Sequence, residues 1–147
     1  MISFVGDFQC KIDSKGRVGL PVSFRNDMLE SQQTYFVVKK DVYENCLVLY
    51  PQFEWEKTVA YLKEKLNPFN KKQNNFLRLF LMGALKVSID ASGRILLPKR
   101  IQERVNIIKD VFVIGNIYKI EIWSTQEYEK IKVNNDDFES LAEEILG

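Results

Sequence analysis

The stretch Asp13-Ser14-Lys15-Gly16-Arg17-Val18-Gly19-Leu20-Pro21 returns as Asp90-Ala91-Ser92-Gly93-Arg94-Ile95-Leu96-Leu97-Pro98 at a constant separation of 77 residues. A duplicated unit constrains the fold before any other feature, because two copies of one supersecondary element must pack on each other or repeat along an axis. Upstream of each copy, apolar and polar residues alternate: Phe8, Cys10 and Ile12 in the first, Leu85, Val87 and Ile89 in the second. Period-two alternation marks a half-buried strand, so each copy is expected to be strand, turn, strand. Asp13 and Asp90 suit the first turn position, where a carboxylate can accept backbone N–H groups two residues on. Gly16 and Gly93 suit the position where φ turns positive.

After each turn the pattern continues in parallel. Pro21 is expected in the first turn of a short helix over 22–29, with Phe24, Met28 and Leu29 inward. Strands are expected over 35–38 and 47–50, joined by a polar loop through Lys39, Lys40, Asp41 and Asn45. A helix over 51–66 carries Phe53, Val59, Leu62 and Leu66 on one face. The second copy supplies a helix over 99–105, strands over 111–114 and 119–123, and a helix opened by a Ser124–Glu127 capping box ahead of Tyr128 and Ile131. Because the second connecting loop is shorter, Leu49 matches Ile122, Tyr50 matches Trp123 and Trp55 matches Tyr128 at a separation of 73. These aromatic residues are expected in the core, since periodicity already accounts for them.

The units so defined are 1–66, a linker helix over 67–82 capped by Asn67 with Pro68 at its first position, 83–133, and a C-terminal acidic helix over 134–147 capped by Asp136 or Asp137. The linker carries Phe69, Phe76, Leu79 and Phe80, and the tail carries Phe138, Leu141, Ile145 and Leu146. That is more apolar surface than a tether needs, which predicts packing on a neighbour and a cyclic oligomer.

Charge and chemistry narrow the function. The formal net charge of +1 hides an asymmetry, because five acids and no base lie in the last fourteen residues; the remainder holds 21 bases against 15 acids. A basic body favours a polyanionic partner. The chain contains no histidine, which removes histidine triads, imidazole relays and His-Glu zinc sites. Cys10 and Cys46 have no CxxC spacing and are expected as free thiols, Cys10 on the inward face of its strand. The N-terminus resembles no signal peptide and no apolar run reaches bilayer length, so a cytoplasmic protein without membrane association is expected. No nucleophile, metal cluster or phosphate loop accompanies Asp13 and Asp90, so neither an enzyme nor a small-molecule substrate is expected.

The tandem Asp-x-Lys-Gly-Arg-x-x-x-Pro and Asp-x-x-Gly-Arg-x-x-x-Pro units, with Leu47-Val48-Leu49-Tyr50-Pro51 and the Trp55 helix, resemble the MraZ family of bacterial transcriptional regulators. The resemblance implies an α+β, mainly β fold. Two tandem swapped-hairpin units of AbrB-like (SpoVT-AbrB) type would form a pseudo-two-fold β-barrel with flanking helices. It implies a nucleoid-associated homo-oligomeric ring, without a cofactor, that binds direct repeats in double-stranded DNA. Its targets would be the division and cell-wall gene cluster including its own operon, mainly under repression. Carried onto this chain, the DNA-contacting positions are Lys15, Arg17 and Arg94, with Asp13, Gly16, Asp90 and Gly93 shaping the turns.

The residues support that assignment, since arginine's planar fork can bond guanine O6 and N7 together while lysine offers a point charge to phosphate. Plainer readings stand beside it. Arg17 and Arg94 can pair with Asp13 and Asp90 across their own turns, and Lys15 can be a solvated lysine. Lys11, Arg25, Lys99 and Arg100 suit phosphate contact or simple exposure. Ser92 stands where the first turn has Lys15, and Gly19 suggests a bulge or a close backbone approach. AbrB-like units also serve as antitoxin and assembly domains, so a protein-interaction module is the competing class.

Overall fold

The computed structural model describes residues 2–132 and 135–147. Strand β1 (Phe4–Lys11), the short β2 (Arg17–Gly19), helix α1 (Val22–Glu30), strands β3 (Tyr35–Lys40) and β4 (Leu47–Pro51) and helix α2 (Gln52–Lys65) form the first half. Helix α3 (Lys71–Leu81) bridges to the second half: β5 (Leu85–Ser88), β6 (Arg94–Leu96), α4 (Lys99–Arg104), β7 (Asp110–Ile117), β8 (Lys119–Ser124) and α5 (Thr125–Lys132). Helix α6 (Asn135–Leu146) follows.

The halves exchange their first strands. β1 pairs with β7 and β5 pairs with β3, all antiparallel, giving a six-stranded sheet in the order β1-β7-β8-β4-β3-β5. The sheet ends at β1 and β5 and is not closed, so the barrel implied by resemblance is not completed by these ladders. β2 and β6 instead form a separate two-stranded ribbon. The registers define a pseudo-two-fold axis. Val18 lies opposite Ile95 in the ribbon and Val48 opposite Glu121 at the centre of the sheet, with Leu47 facing Ile122 and Leu49 facing Ile120 around it. The matching of Leu49 with Ile122 holds, since Val38 pairs Leu49 as Val113 pairs Ile122.

The core lies between ribbon and sheet. Val18 and Ile95 join Phe36, Val38, Leu47, Leu49, Ile120 and Ile122 in one buried cluster, sealed by Phe24 and Met28 of α1. Phe24 meets Phe4 and Phe8 edge-on at 5.2 and 5.4 Å. Leu29, expected inward, is exposed, because the helix turns only one narrow stripe to the core. Trp123 and Tyr128 form a second buried group with Cys46, and Tyr128 stacks on Phe112 at 3.7 Å. Trp55 is half-buried, stacked on Phe80 at 6.3 Å and near Tyr50 at 5.4 Å. Phe53 is exposed, contrary to expectation, and Leu62 supplies the buried contact of α2. Both cysteines are free.

Several boundaries move for local reasons. Pro21, Pro51 and Pro98 each stand one position before their helices, with extended ψ values of 141°, 152° and 148°. The Pro21 carbonyl already accepts from Phe24, which makes the residue a cap and Val22 the first helical position. α2 draws its cap from afar, as the Gln33 side chain accepts the Phe53 amide at 2.8 Å. Asn67 caps no helix: it accepts the Phe69 amide in a local turn, and Asn70, accepting from Gln73 at 3.0 Å, caps α3 three residues later. Phe69 therefore lies outside the helix and is exposed. Lys39 and Lys40, expected in a loop, end β3 opposite Val48 and Leu47. Ser124 caps α5 by accepting the Glu127 amide at 3.1 Å, while the Glu127 carboxylate pairs with Lys130. Asp136 and Asp137 fall inside α6, and the position before that helix lies outside the described residues.

Candidate nucleic-acid interface

Each turn is organised by one carboxylate. Asp13 Oδ1 accepts the amides of Lys15 and Arg17, both at 2.9 Å, and Oδ2 accepts Arg17 Nε at 2.8 Å. Asp90 repeats the pattern with the amides of Ser92 and Arg94 at 2.9 and 2.8 Å and Arg94 Nε at 3.0 Å. The Arg17 amide above all, with the Arg17 guanidinium and Lys15 amide, holds the Asp13 carboxyl below its usual pKa against an opposing desolvation. The Arg94 amide does the same for Asp90, helped by Ser92 and the Arg94 guanidinium. Gly16 and Gly93 adopt φ of +87° and +80°, the left-handed region that closes the turn.

The arginines are thus paired with their own aspartates, as the plainer reading expected, but they are not buried by the pairing. Their side chains keep 31% and 35% of their surface accessible. Only Nε is engaged; among the described residues no hydrogen bond occupies the terminal nitrogens of either guanidinium. An exposed pair of this kind adds little to stability. Its larger effect is positional, since a bond at Nε fixes the plane of the fork and leaves its outer edge open.

Strand register puts both forks on one surface. Arg17 lies opposite Leu96 and Arg94 opposite Gly19, while Val18 and Ile95 point to the core. The outer face of the ribbon therefore carries Arg17, Gly19, Arg94 and Leu96, with the two arginines as diagonal neighbours about 7–8 Å apart at the backbone. Lys15 in the first turn is exposed, as are Lys11 at the end of β1 and Lys99 and Arg100 at the start of α4. A bulge or close approach at Gly19 is not found: the ladder passes through it in register and no heavy atom lies within 4 Å of where a Cβ would stand. Gly19 leaves the space beside Arg94 open where its counterpart Leu96 flanks Arg17.

The ribbon ends are locked across the axis. Gly16 carbonyl accepts Leu97 N–H at 2.8 Å and Gly93 carbonyl accepts Leu20 N–H at 3.0 Å. Beneath Gly16, Gln102 of α4 donates to the Leu97 carbonyl at 2.7 Å. The equivalent position beneath Gly93 is Arg25 of α1, whose Cζ lies 2.7 Å from where a Gly93 Cβ would be and whose buried Nε has no hydrogen-bond partner. Arg25 therefore brings a cation to the turn in which Ser92 replaces lysine. In the sequence the pointer to it is the 77-residue match, which extends into the helices and aligns Arg25 with Gln102.

Fold and surface together define a class: an internally duplicated, strand-exchanged α+β protein whose ribbon presents two oriented arginines on one face. A family model described as "MraZ protein, putative antitoxin-like" matches residues 3–79 and 80–146. Relatives named "Transcriptional regulator MraZ" include that of Flavobacterium psychrophilum, 40% identical over all of this chain and 94% of the relative. That of Christiangramia forsetii is 38% identical over all of this chain and 95% of its own length. That of Clostridium tetani is 39% identical over 97% of this chain and 96% of its own. The chain belongs to the MraZ family. Among the described residues no helix is long and apolar enough to cross a membrane.

Proposed function

We propose that the protein is a sequence-specific DNA-binding transcriptional regulator acting at the nucleoid. It reads direct repeats as an oligomeric ring through the Asp13–Arg17 and Asp90–Arg94 turns, and represses the division and cell-wall cluster that includes its own operon. The observation that carries this reading is the shared outer face of the ribbon, where each arginine is anchored at Nε by its own aspartate with its terminal nitrogens unengaged. Such a fork is held ready for the O6 and N7 edge of guanine, a contact worth roughly 1–3 kcal/mol of discrimination. Lys15 adds a phosphate contact at the first turn and Arg25 supplies charge at the second. The exchange of β1 and β5 between halves supports an AbrB-like swapped-hairpin pair, with the ribbon covering the open sheet. One ridge binds weakly, and a ring displaying several gains by avidity where sites repeat at matching intervals.

The test is a mobility shift on DNA immediately upstream of its own gene, at two salt concentrations, wild type against Arg17→Ala. The reading requires an affinity that falls steeply with salt and is lost in the variant. Indifference to both overturns it in favour of a protein-interaction or antitoxin-type module, a reading favoured by the uncovered apolar faces of α3 and α6.

A further inference from the structure

Helix α3 is attached to the body by one face only. Phe80 lies between Trp55, stacked at 6.3 Å, and the Lys39 ammonium, 4.1 Å from its ring centre. No residue of α3 is fully buried, and Phe76, Leu79 and the following Met82 stand exposed along one side. Between that side and the β3–β4 turn runs an open groove of about 350 Å³. Its floor is apolar, formed by Phe76, Leu79, Phe80 and Met82; Lys39 is buried against Phe80, and Lys40 and Arg104 line the groove with the single acid Asp41.

Helix α6 has the opposite character. Phe138, Leu141 and Ile145, spaced three and four apart, make an exposed apolar stripe, and Glu139, Glu143 and Glu144 lie beside it. Among the described residues none buries these side chains. α5, which precedes α6, packs over β7 and β8, on the other side of β4 from β3, where the groove lies.

We propose that α6 of one copy seats in the α3 groove of the next. Phe138, Leu141 and Ile145 enter the apolar floor, and the glutamates face Lys40 and Arg104, as amphipathic helices dock in grooves elsewhere. Donor and acceptor are different patches, so every copy gives one helix and receives another, a heterologous contact that closes into a ring when its rotation permits. This rests on the assembly reading above and gives it a contact.

The experiment is light scattering of the full chain, wild type against Leu141→Asp, Ile145→Asp and Leu79→Asp. Disulfide trapping between co-expressed Leu79→Cys and Ile145→Cys chains in a Cys10→Ser background accompanies it. The expected result is a multimeric wild type, dissociation toward the 17.2 kDa chain in each Asp variant, and a cross-linked dimer from the mixed cysteine chains. Glu143→Lys should weaken assembly and Lys40→Glu should restore it. Variants that keep the wild-type mass and mixed chains that fail to cross-link overturn the docking while leaving a ring through other surfaces intact. A monomeric wild type overturns assembly itself. A third sample, one chain carrying both Leu79→Cys and Ile145→Cys, distinguishes the source of the helix: a bond formed only within that chain, with none between the mixed chains, places α6 in its own groove and also overturns the proposal.

Discussion

The carbonyl of Gly16 accepts the amide of Leu97 at 2.8 Å, so the turn of one half is fastened to the strand end of the other. A Cβ at Gly16 would stand 2.6 Å from the Leu97 carbonyl oxygen, backbone that cannot swing away, in addition to the strain of φ +87°. At Gly93 the obstruction is the Arg25 side chain, which can rotate out. Gly16→Ala should therefore destabilise by about 2–3 kcal/mol and Gly93→Ala by about 1–2. Urea unfolding of the two variants measures the order, and equal losses would mean that the Leu97 carbonyl is no firmer an obstacle than the Arg25 side chain.

Arg17→Lys keeps the charge but removes both the fork and the Nε bond to Asp13. Specific affinity should fall by about 1–3 kcal/mol, roughly fivefold to 150-fold, while the salt slope stays unchanged. Binding titrations on specific and scrambled DNA separate loss of reading from loss of charge. An unchanged specificity ratio would reduce Arg17 to a phosphate contact.

Arg25→Gln makes the second half imitate the first, where Gln102 donates to the Leu97 carbonyl. The buried, unpartnered Nε disappears, so thermal stability should hold or rise. DNA affinity should drop with a salt slope shallower by about one. A variant that binds like wild type at every salt concentration would confine Arg25 to a structural role.

The depressed pKa values of Asp13 and Asp90 give the turns a pH dependence with a fixed sign. Their folded values lie below the unfolded one, so the stabilisation is complete above the ordinary aspartate value near 3.9 and is lost as pH falls through the folded values. Acid titration followed by circular dichroism should show the loss beginning below about pH 4, and Asp13→Asn should flatten that limb.

Cys46 is buried beside Trp123 and Tyr128, and burial raises its thiol pKa well above the usual range; Cys10 is half-buried and raised less by the same cause. In native protein at neutral pH, alkylation should modify Cys10 slowly and Cys46 only after unfolding. Mass spectrometry over time distinguishes the two.

The local chemistry of the turns was fully legible in the chain, because an aspartate, a positive-φ glycine and an alternating strand act within a few residues of each other. So was the register offset at Leu49 and Ile122, once the repeat was aligned. The exchange of β1 and β5 between halves could not be derived from periodicity, which says that a strand exists and not which strand it meets. Helix starts slipped where two residues competed for one role. Asn67 and Asn70 both suit a cap, and the helix took the second because Asn67 was engaged in its own turn. The polar run from Lys39 reads as a loop, yet Lys39 lies in β3 and its ammonium finds the Lys40 carbonyl at 2.8 Å and the face of Phe80. Arg25 reads from sequence as no more than a phosphate-facing or exposed cation, because its neighbour Gly93 is far away in the chain.

The departures from two-fold symmetry, Lys15 against Ser92, Gly19 against Leu96 and Arg25 against Gln102, are open only to a chain in which both halves are encoded separately. A homodimer built from one such half would have to change both faces at once and would look the same from either end. Joining the halves gives the ridge a head and a tail, so its two ends are chemically distinct to whatever lies along it.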